Sequence, residues 1–174
     1  MNPALHQRAA AIRLFVMDVD GVLTTGDIAY TADGDELKTF NIRDGLGIKL
    51  LQRAGIETAI ITGRTSAIVE RRARELGIAH VFQGQEDKRA AFDSLLQHTG
   101  LAAEAVAYIG DDLPDLPLIR RAGLGMTVAL GDPRVCAAAH WISNCPGGRG
   151  AVREAAEFIL HAQDKLDTLL AAYE

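Results

Sequence analysis

Two pairs of aspartates stand where short apolar runs end. Asp18 and Asp20 follow Leu14 to Met17 (LFVM), and Asp111 and Asp112 follow Ala105 to Ile109. Clustered carboxylates repel one another unless a cation or a proton compensates. Hard oxygen ligands with room for water favour magnesium. A divalent ion bridging carboxylates and a phosphate oxygen acts as Lewis acid and template. Taken singly, each aspartate is better read as a helix cap or turn former; four at two such ends point to chemistry. Asp18 and Asp20 are two positions apart, and Gly21 lets the chain turn away at once. The two carboxylates can then take different roles. One can attack phosphorus and form an aspartyl phosphate. The other can protonate the leaving alkoxide and later activate water.

Phosphoryl transfer also needs donors for the equatorial oxygens. Thr62 offers a hydroxyl just before a predicted helix, whose free N–H groups attract anions. Gly63 permits close backbone approach, and Lys88, opening another helix, adds a point positive charge. Alone, Thr62 reads as a cap and Lys88 as a surface lysine. Their order after Asp18 and before Asp111 ties them to the acids.

The elements that must position these residues alternate. Leu14 to Met17 reads as a buried parallel strand. Asp27 to Phe40 reads as a hairpin around an Asp-Gly turn. Asp44 to Ala54 is helical, ending at Gly55. Then come strand Thr58 to Ile61, helix Ser66 to Leu76 closed by Gly77, strand His80 to Phe82, and helix Lys88 to His98. Strand Ala105 to Ile109 follows, then helix Leu116 to Ala122 closed by Gly123, strand Met126 to Leu130 and helix Pro133 to Ala139. Trp141 and Ile142 suggest an edge strand, and Ala151 to Leu170 one long helix or two. Strand–helix alternation with short connections means right-handed crossovers and a mostly parallel α/β sheet. The ligand crevice of such a sheet lies at the carboxyl ends of its strands, where Asp18, Asp20, Thr62, Arg64, Lys88, Asp111 and Asp112 all fall.

The chain has 174 residues and a mass of 18.6 kDa, which suits a single domain. Hydrophobic residues at 48% and charged residues at 24% exclude general disorder. A net charge of −5 and only 5% aromatics argue against a nucleic-acid partner. Cys136 and Cys145 lack metal or redox spacing, so a reducing cytoplasm is the simplest setting. The first residues carry no signal-peptide core, and no apolar run is long enough to span a membrane.

DVDGVLT at Asp18 to Thr24, ITGR at Ile61 to Arg64, Lys88, and GDDLPD at Gly110 to Asp115 together resemble the haloacid dehalogenase superfamily of phosphotransferases. The resemblance implies Asp18 as nucleophile, Asp20 as general acid/base, and Thr62 and Lys88 as phosphate binders. It implies Mg2+ held by Asp18, the main-chain carbonyl of Asp20, and Asp111, with Asp112 direct or through water. Asp20 marks the phosphatases of the superfamily.

Longer segments, among them DGVLTTGDIAY, ELKTFNIRDGLGIKLL and GGRGAVREAAEFIL, resemble a branch without a cap domain. That branch dephosphorylates an eight-carbon acidic sugar in lipopolysaccharide precursor synthesis. The implied protein is a Rossmann-like three-layer domain over residues 1–174, with a hairpin insertion near 27–40 and a Gly-rich loop and helix near 146–174. It is implied to be a homotetramer whose sites are covered by neighbouring subunits. About 40 residues separate Asp20 from Thr62, which leaves no room for a lid. The hairpin and the loop Pro146 to Gly150 are the candidate covers. Gly63, Arg64, Arg43 and Arg149 are the candidate substrate contacts: Arg149 can pair bidentately with a carboxylate or phosphate, Arg43 is the better candidate for specificity, and Arg64 can instead simply cap or salt-bridge at its helix start. Two alternatives stand: a phosphatase for a nine-carbon sialic-type acid 9-phosphate, and a non-catalytic oligomerisation module. A receiver-type signalling domain is disfavoured, because the strand ending at Thr62 offers no acceptor aspartate.

Overall fold

The first strand in the sequence is a central strand of the sheet. In the computed structural model, which describes residues 2–173, six strands pair in parallel. They are β1 (Leu14–Met17), β4 (Glu57–Ile61), β5 (His80–Phe82), β6 (Val106–Ile109), β7 (Leu124–Ala129) and β8 (Trp141–Pro146). Their order is β5-β4-β1-β6-β7-β8. Met17 lies level with Ile60 on one side and Ile109 on the other. The chain winds outward through β4 and β5, returns to the other side of β1, and winds outward again. This reversal opens a crevice between β1 and β6, where Asp18 and Asp111 follow their strands.

Strand alternation divides the core in two. Phe15 and Met17, with Ile109 and Met126, face one layer; Leu14 and Val16, with Tyr108, face the other. The first layer holds α1 (Pro3–Ala10), α2 (Ile42–Arg53), α3 (Ala67–Leu76) and α7 (Ala151–Ala162). The second holds α4 (Lys88–Thr99), α5 (Leu116–Arg121) and α6 (Pro133–Ala138). All four β1 side chains are fully buried, as a strand covered on both faces requires.

The hairpin is small: β2 (Ala29–Tyr30) pairs antiparallel with β3 (Glu36–Leu37). Among the described residues, the hairpin and α2 are the only regular elements between Asp20 and β4.

Several boundaries differ from expectation. Helix α1 was not anticipated; Asn2 caps it by accepting from the Ala4 N–H, and Pro3 opens it. Helix α2 starts at Ile42, because Asn41 caps it through the Arg43 N–H. Gly123 does not close α5 in a left-handed turn, since the cap Ala122 is extended. A Cβ at Gly123 would sit 2.0 Å from the Glu104 carbonyl oxygen, so close packing requires glycine there. The last segment is two helices, α7 and α8 (Leu166–Leu170).

The Gly-rich loop is seated on the acid-bearing loop of its own chain. Gly148 donates its N–H to the Val22 carbonyl at 2.8 Å. A Cβ on Gly147 would lie 1.7 Å from the Gly21 carbonyl oxygen. Asp44, buried on α2, accepts from the Gly150 and Arg153 N–H groups and so caps α7 from outside. Gly147→Ala is therefore expected to cost about 2–3 kcal/mol by overpacking. The melting temperature should fall by roughly 4–12 °C; an unchanged melting curve would show that the loop moves aside freely.

Candidate active site

Asp18 takes its place from β1 itself: its N–H donates to the Ile109 carbonyl on β6 at 3.0 Å. The carboxylate is 6% exposed at the floor of a cleft of about 470 Å³. Gly21, at φ +94°, turns the chain where no side chain fits, because a Cβ there would overlap the Asp111 carboxylate. The loop after β1 is thereby pressed against the acid that follows β6.

Lys88 is the first residue of α4, with Asp87 as its cap. Its ammonium is buried between two carboxylates, 2.7 Å from Asp18 Oδ1 and 2.6 Å from Asp115 Oδ1. Asp115 is the last residue of the GDDLPD motif. It is 1% exposed and accepts four hydrogen bonds: Lys88 Nζ, Tyr108 OH at 2.6 Å, and the Asp111 and Asp112 N–H groups at 3.1 and 3.3 Å. Tyr108 rises to it from the core beneath the sheet. The legible signal was the third aspartate of the motif, on the turn that follows the acidic pair.

Oxygens of Asp18, Asp111 and Asp115 approach within 4.8 Å of one another, close enough to hold one metal ion. Asp112, expected to act directly or through water, lies outside that set of three; its exposed carboxylate caps the turn through the Leu113 N–H at 2.7 Å and lines the cleft. Burial, then Asp115, pushes Asp18 up to about 7 against the pull of Lys88. Burial and the charges of Asp18, Asp115 and Asp112 push Asp111 up to about 7. Burial opposes the charge on Lys88, but Asp18 and Asp115 outweigh it and raise its pKa.

These shifts set a pH dependence. A carboxyl raised in the folded state binds protons there that the unfolded chain has released, so metal-free stability falls as pH rises from about 4 to about 7. Asp111→Asn should flatten that decline. In EDTA its melting temperature should exceed the wild type's by ~4 °C or more at pH 8, with little difference at pH 4.5. Equal offsets at both pH values would exclude Asp111 as the source.

Thr62 and Gly63 line the same cleft, from the loop after β4. Thr62 is not at the helix start, as α3 begins only at Ala67. Its main chain is held by Phe82 and Gln85, and it is 2% exposed. Asp20 turns away from the metal-type cluster toward the hairpin, where it pairs with Lys38. Arg64 bonds Glu36 at 2.5 Å and lies 4.0 Å from Asp20. The hairpin therefore contacts Asp20 within its own chain. Arg149 lines an adjoining cleft of about 360 Å³, which shares Gly26 and Asp111 with the first. Arg43 is exposed at the start of α2 and lines neither cleft.

A nucleophile-type aspartate, a bridging lysine, a threonine and an acidic cluster at the switch point of a parallel sheet define a phosphotransferase site. The chain belongs to the haloacid dehalogenase-like hydrolases, whose family model matches residues 41–123. It is 50% identical over 161 residues to the 3-deoxy-D-manno-octulosonate 8-phosphate phosphatase KdsC of Yersinia pestis, covering 92% of this chain and 86% of that one. A crystal structure of the Moraxella catarrhalis 3-deoxy-D-manno-octulosonate 8-phosphate phosphatase, in complex with magnesium ion, phosphate ion and KDO, superposes with a TM-score of 0.98. It is 47% identical and covers 100% of both chains. The cobalt-bound phosphatase of Haemophilus influenzae, 42% identical, gives a TM-score of 0.90 over 93% of this chain and 95% of that one.

Proposed function

We infer that the protein is a magnesium-dependent phosphatase that hydrolyses 3-deoxy-D-manno-octulosonate 8-phosphate to the free sugar acid and phosphate, in lipopolysaccharide precursor synthesis. The observation that carries this reading is the Asp18–Lys88–Asp115 chain beside Asp111, in a protein 50% identical to such a phosphatase along nearly its whole length.

The donor set suits magnesium: three carboxylates converge, and burial and mutual repulsion push two of them up to about 7. Asp18 and Asp111 would hold the ion, with Asp115, whose oxygens are taken by Lys88, Tyr108 and two main-chain N–H groups, positioning them. The Asp20 carbonyl and Asp112, the latter through water, are the further ligands suggested by the resemblance. When bound, the ion neutralises phosphate charge and aligns phosphorus with the nucleophile.

The residues then divide the work. A carboxylate oxygen of Asp18 attacks phosphorus, and the bond from phosphorus to the sugar oxygen breaks. Asp20 gives its proton to that oxygen, and the free sugar leaves. Asp20 next takes a proton from water, whose oxygen attacks the aspartyl phosphate. Inorganic phosphate departs and the Asp18 carboxylate is restored. Thr62, the Gly63 N–H and Lys88 stabilise the charge on the transferring group. Arg64 and Arg149 are the cleft cations suited to the sugar-acid carboxylate. Arg43 reaches a site only if a neighbouring copy presents it.

The molecule is further read as a cytoplasmic homotetramer. Ile28, Tyr30 and Leu37 leave the hairpin with an exposed apolar face, 58, 61 and 52% accessible. Both cysteines are unpaired, and among the described residues no helix is long and apolar enough to cross a membrane. Light scattering should give the mass of four chains; a monomer would end the tetramer reading.

The deciding assay is phosphate release with and without magnesium. Magnesium-dependent release from the eight-carbon 8-phosphate is expected. Release only from a nine-carbon sialic-type acid 9-phosphate would move the specificity to that alternative. No release from any sugar-acid phosphate would favour the non-catalytic module.

A further inference from the structure

Lys38 follows β3 and turns inward, whereas its neighbours Leu37 and Thr39 are exposed. Its side chain is 4% exposed, and its ammonium donates to Asp20 Oδ1. It also lies 3.6 Å from Glu36 Oε1. Glu36 accepts from Arg64 Nη2 at 2.5 Å and from Ser66 Oγ at 3.0 Å. Arg64 Nε returns to 4.0 Å from Asp20 Oδ2. Asp20, Lys38, Glu36 and Arg64 thus close a ring of alternating charge. The ring joins the loop after β1, the hairpin, and the loop after β4.

Anchoring a two-stranded ribbon does not require a buried ammonium. An apolar side chain of similar length would fill the space without the desolvation cost. What the ammonium adds is a fixed donor to one oxygen of one carboxylate. The χ2 torsion of an aspartate is broad and roughly two-fold. Held at Oδ1, Asp20 presents Oδ2 in one direction. Proton transfer to a leaving oxygen depends on that direction, because donor and acceptor must meet at hydrogen-bond distance.

We propose that Lys38 is a positioning residue for the proton transfers of Asp20, and that the hairpin brings it to the site of its own chain. The proposal rests on the reading of Asp20 as general acid/base. Lys38→Met, Lys38→Gln and Asp20→Asn are compared on two substrates. The octulosonate 8-phosphate leaves as an alkoxide and needs a proton; p-nitrophenyl phosphate releases a leaving group that needs none. First-turnover rates are measured on both, with steady-state KM.

Lys38→Met should slow the sugar phosphate by ~10- to 100-fold, a loss typical of a misplaced general acid. Its KM should stay within about threefold, and its p-nitrophenolate burst should slow by less than about threefold. Lys38→Gln should show the same selectivity, and it alone decides if the methionine variant does not fold. Equal losses on both substrates, or no loss on either, overturn the proposal. If Asp20→Asn shows the leaving-group dependence and the Lys38 variants do not, only the role of Lys38 falls. If Asp20→Asn itself lacks that dependence, the acid/base reading of Asp20 falls too.

Discussion

Replacing Asp18 by asparagine is expected to reduce turnover on the order of 10⁴-fold or more, since an amide cannot serve as the attacking carboxylate. The fold should survive. Lys88 keeps its 2.6 Å contact with Asp115, so no buried cation is left unpaired. The lost charge is one that burial and Asp115 already disfavour. Metal-free Asp18→Asn should therefore melt at or above the wild-type temperature near pH 8, while phosphate release falls to background. Turnover close to wild type would remove Asp18 as nucleophile. A lowered melting temperature would instead show that the Asp18–Lys88 pair holds the structure together.

Asp115→Ala should damage both activity and stability. The substitution leaves Tyr108 OH and the Asp111 and Asp112 N–H groups without their acceptor, and leaves Lys88 with Asp18 alone. Leaving buried hydrogen-bonding groups without their acceptor costs roughly 1–3 kcal/mol each, or about 3–5 kcal/mol here. The melting temperature should drop by about 6–20 °C. Turnover should fall by roughly 10- to 100-fold, because Lys88 and Asp111 lose the group that orients them. Asp115→Asn keeps an acceptor oxygen for Tyr108 or the amides, so it should recover part of the stability but not the turnover. Wild-type melting in the alanine variant would show that Asp115 is a bystander.

The sites at the strand ends were legible because a parallel sheet covered on both faces writes its strands as unbroken apolar runs. A polar cluster directly after such a run can only lie at the carboxyl end of a strand. Asp18, Thr62 and Asp111 were found that way, and Lys88 through its order along the chain. Asp115 is not legible in this way, because an aspartate in a Pro-containing turn reads as an ordinary cap. Its importance lies in Tyr108 and Lys88, which reach it from another strand and another helix. Lys38 and Glu36 were hidden for a similar reason. In a short hairpin, charged residues beside Asp-Gly read as solvated, and nothing local shows that they fold over Asp20. Gly123 shows the converse error. A glycine after a helix suggests a left-handed cap, yet here it admits the backbone of Glu104. Helix α1 has its start written in Asn2 and Pro3, but with Ala9 as its buried residue it shows no apolar period.

The position of β1 bears on how the molecule is made. Its segment leaves the ribosome before its partners β4 and β6 and before the loop that covers it. Gly147 and Gly148 must be synthesised before the turn at Gly21 to Thr24 gains its packing surface. Contacts so distant along the chain form late and slowly. During synthesis Asp18 is therefore separated from Asp111, Asp115 and Lys88, and the nascent chain has no assembled pocket in which to capture a divalent ion.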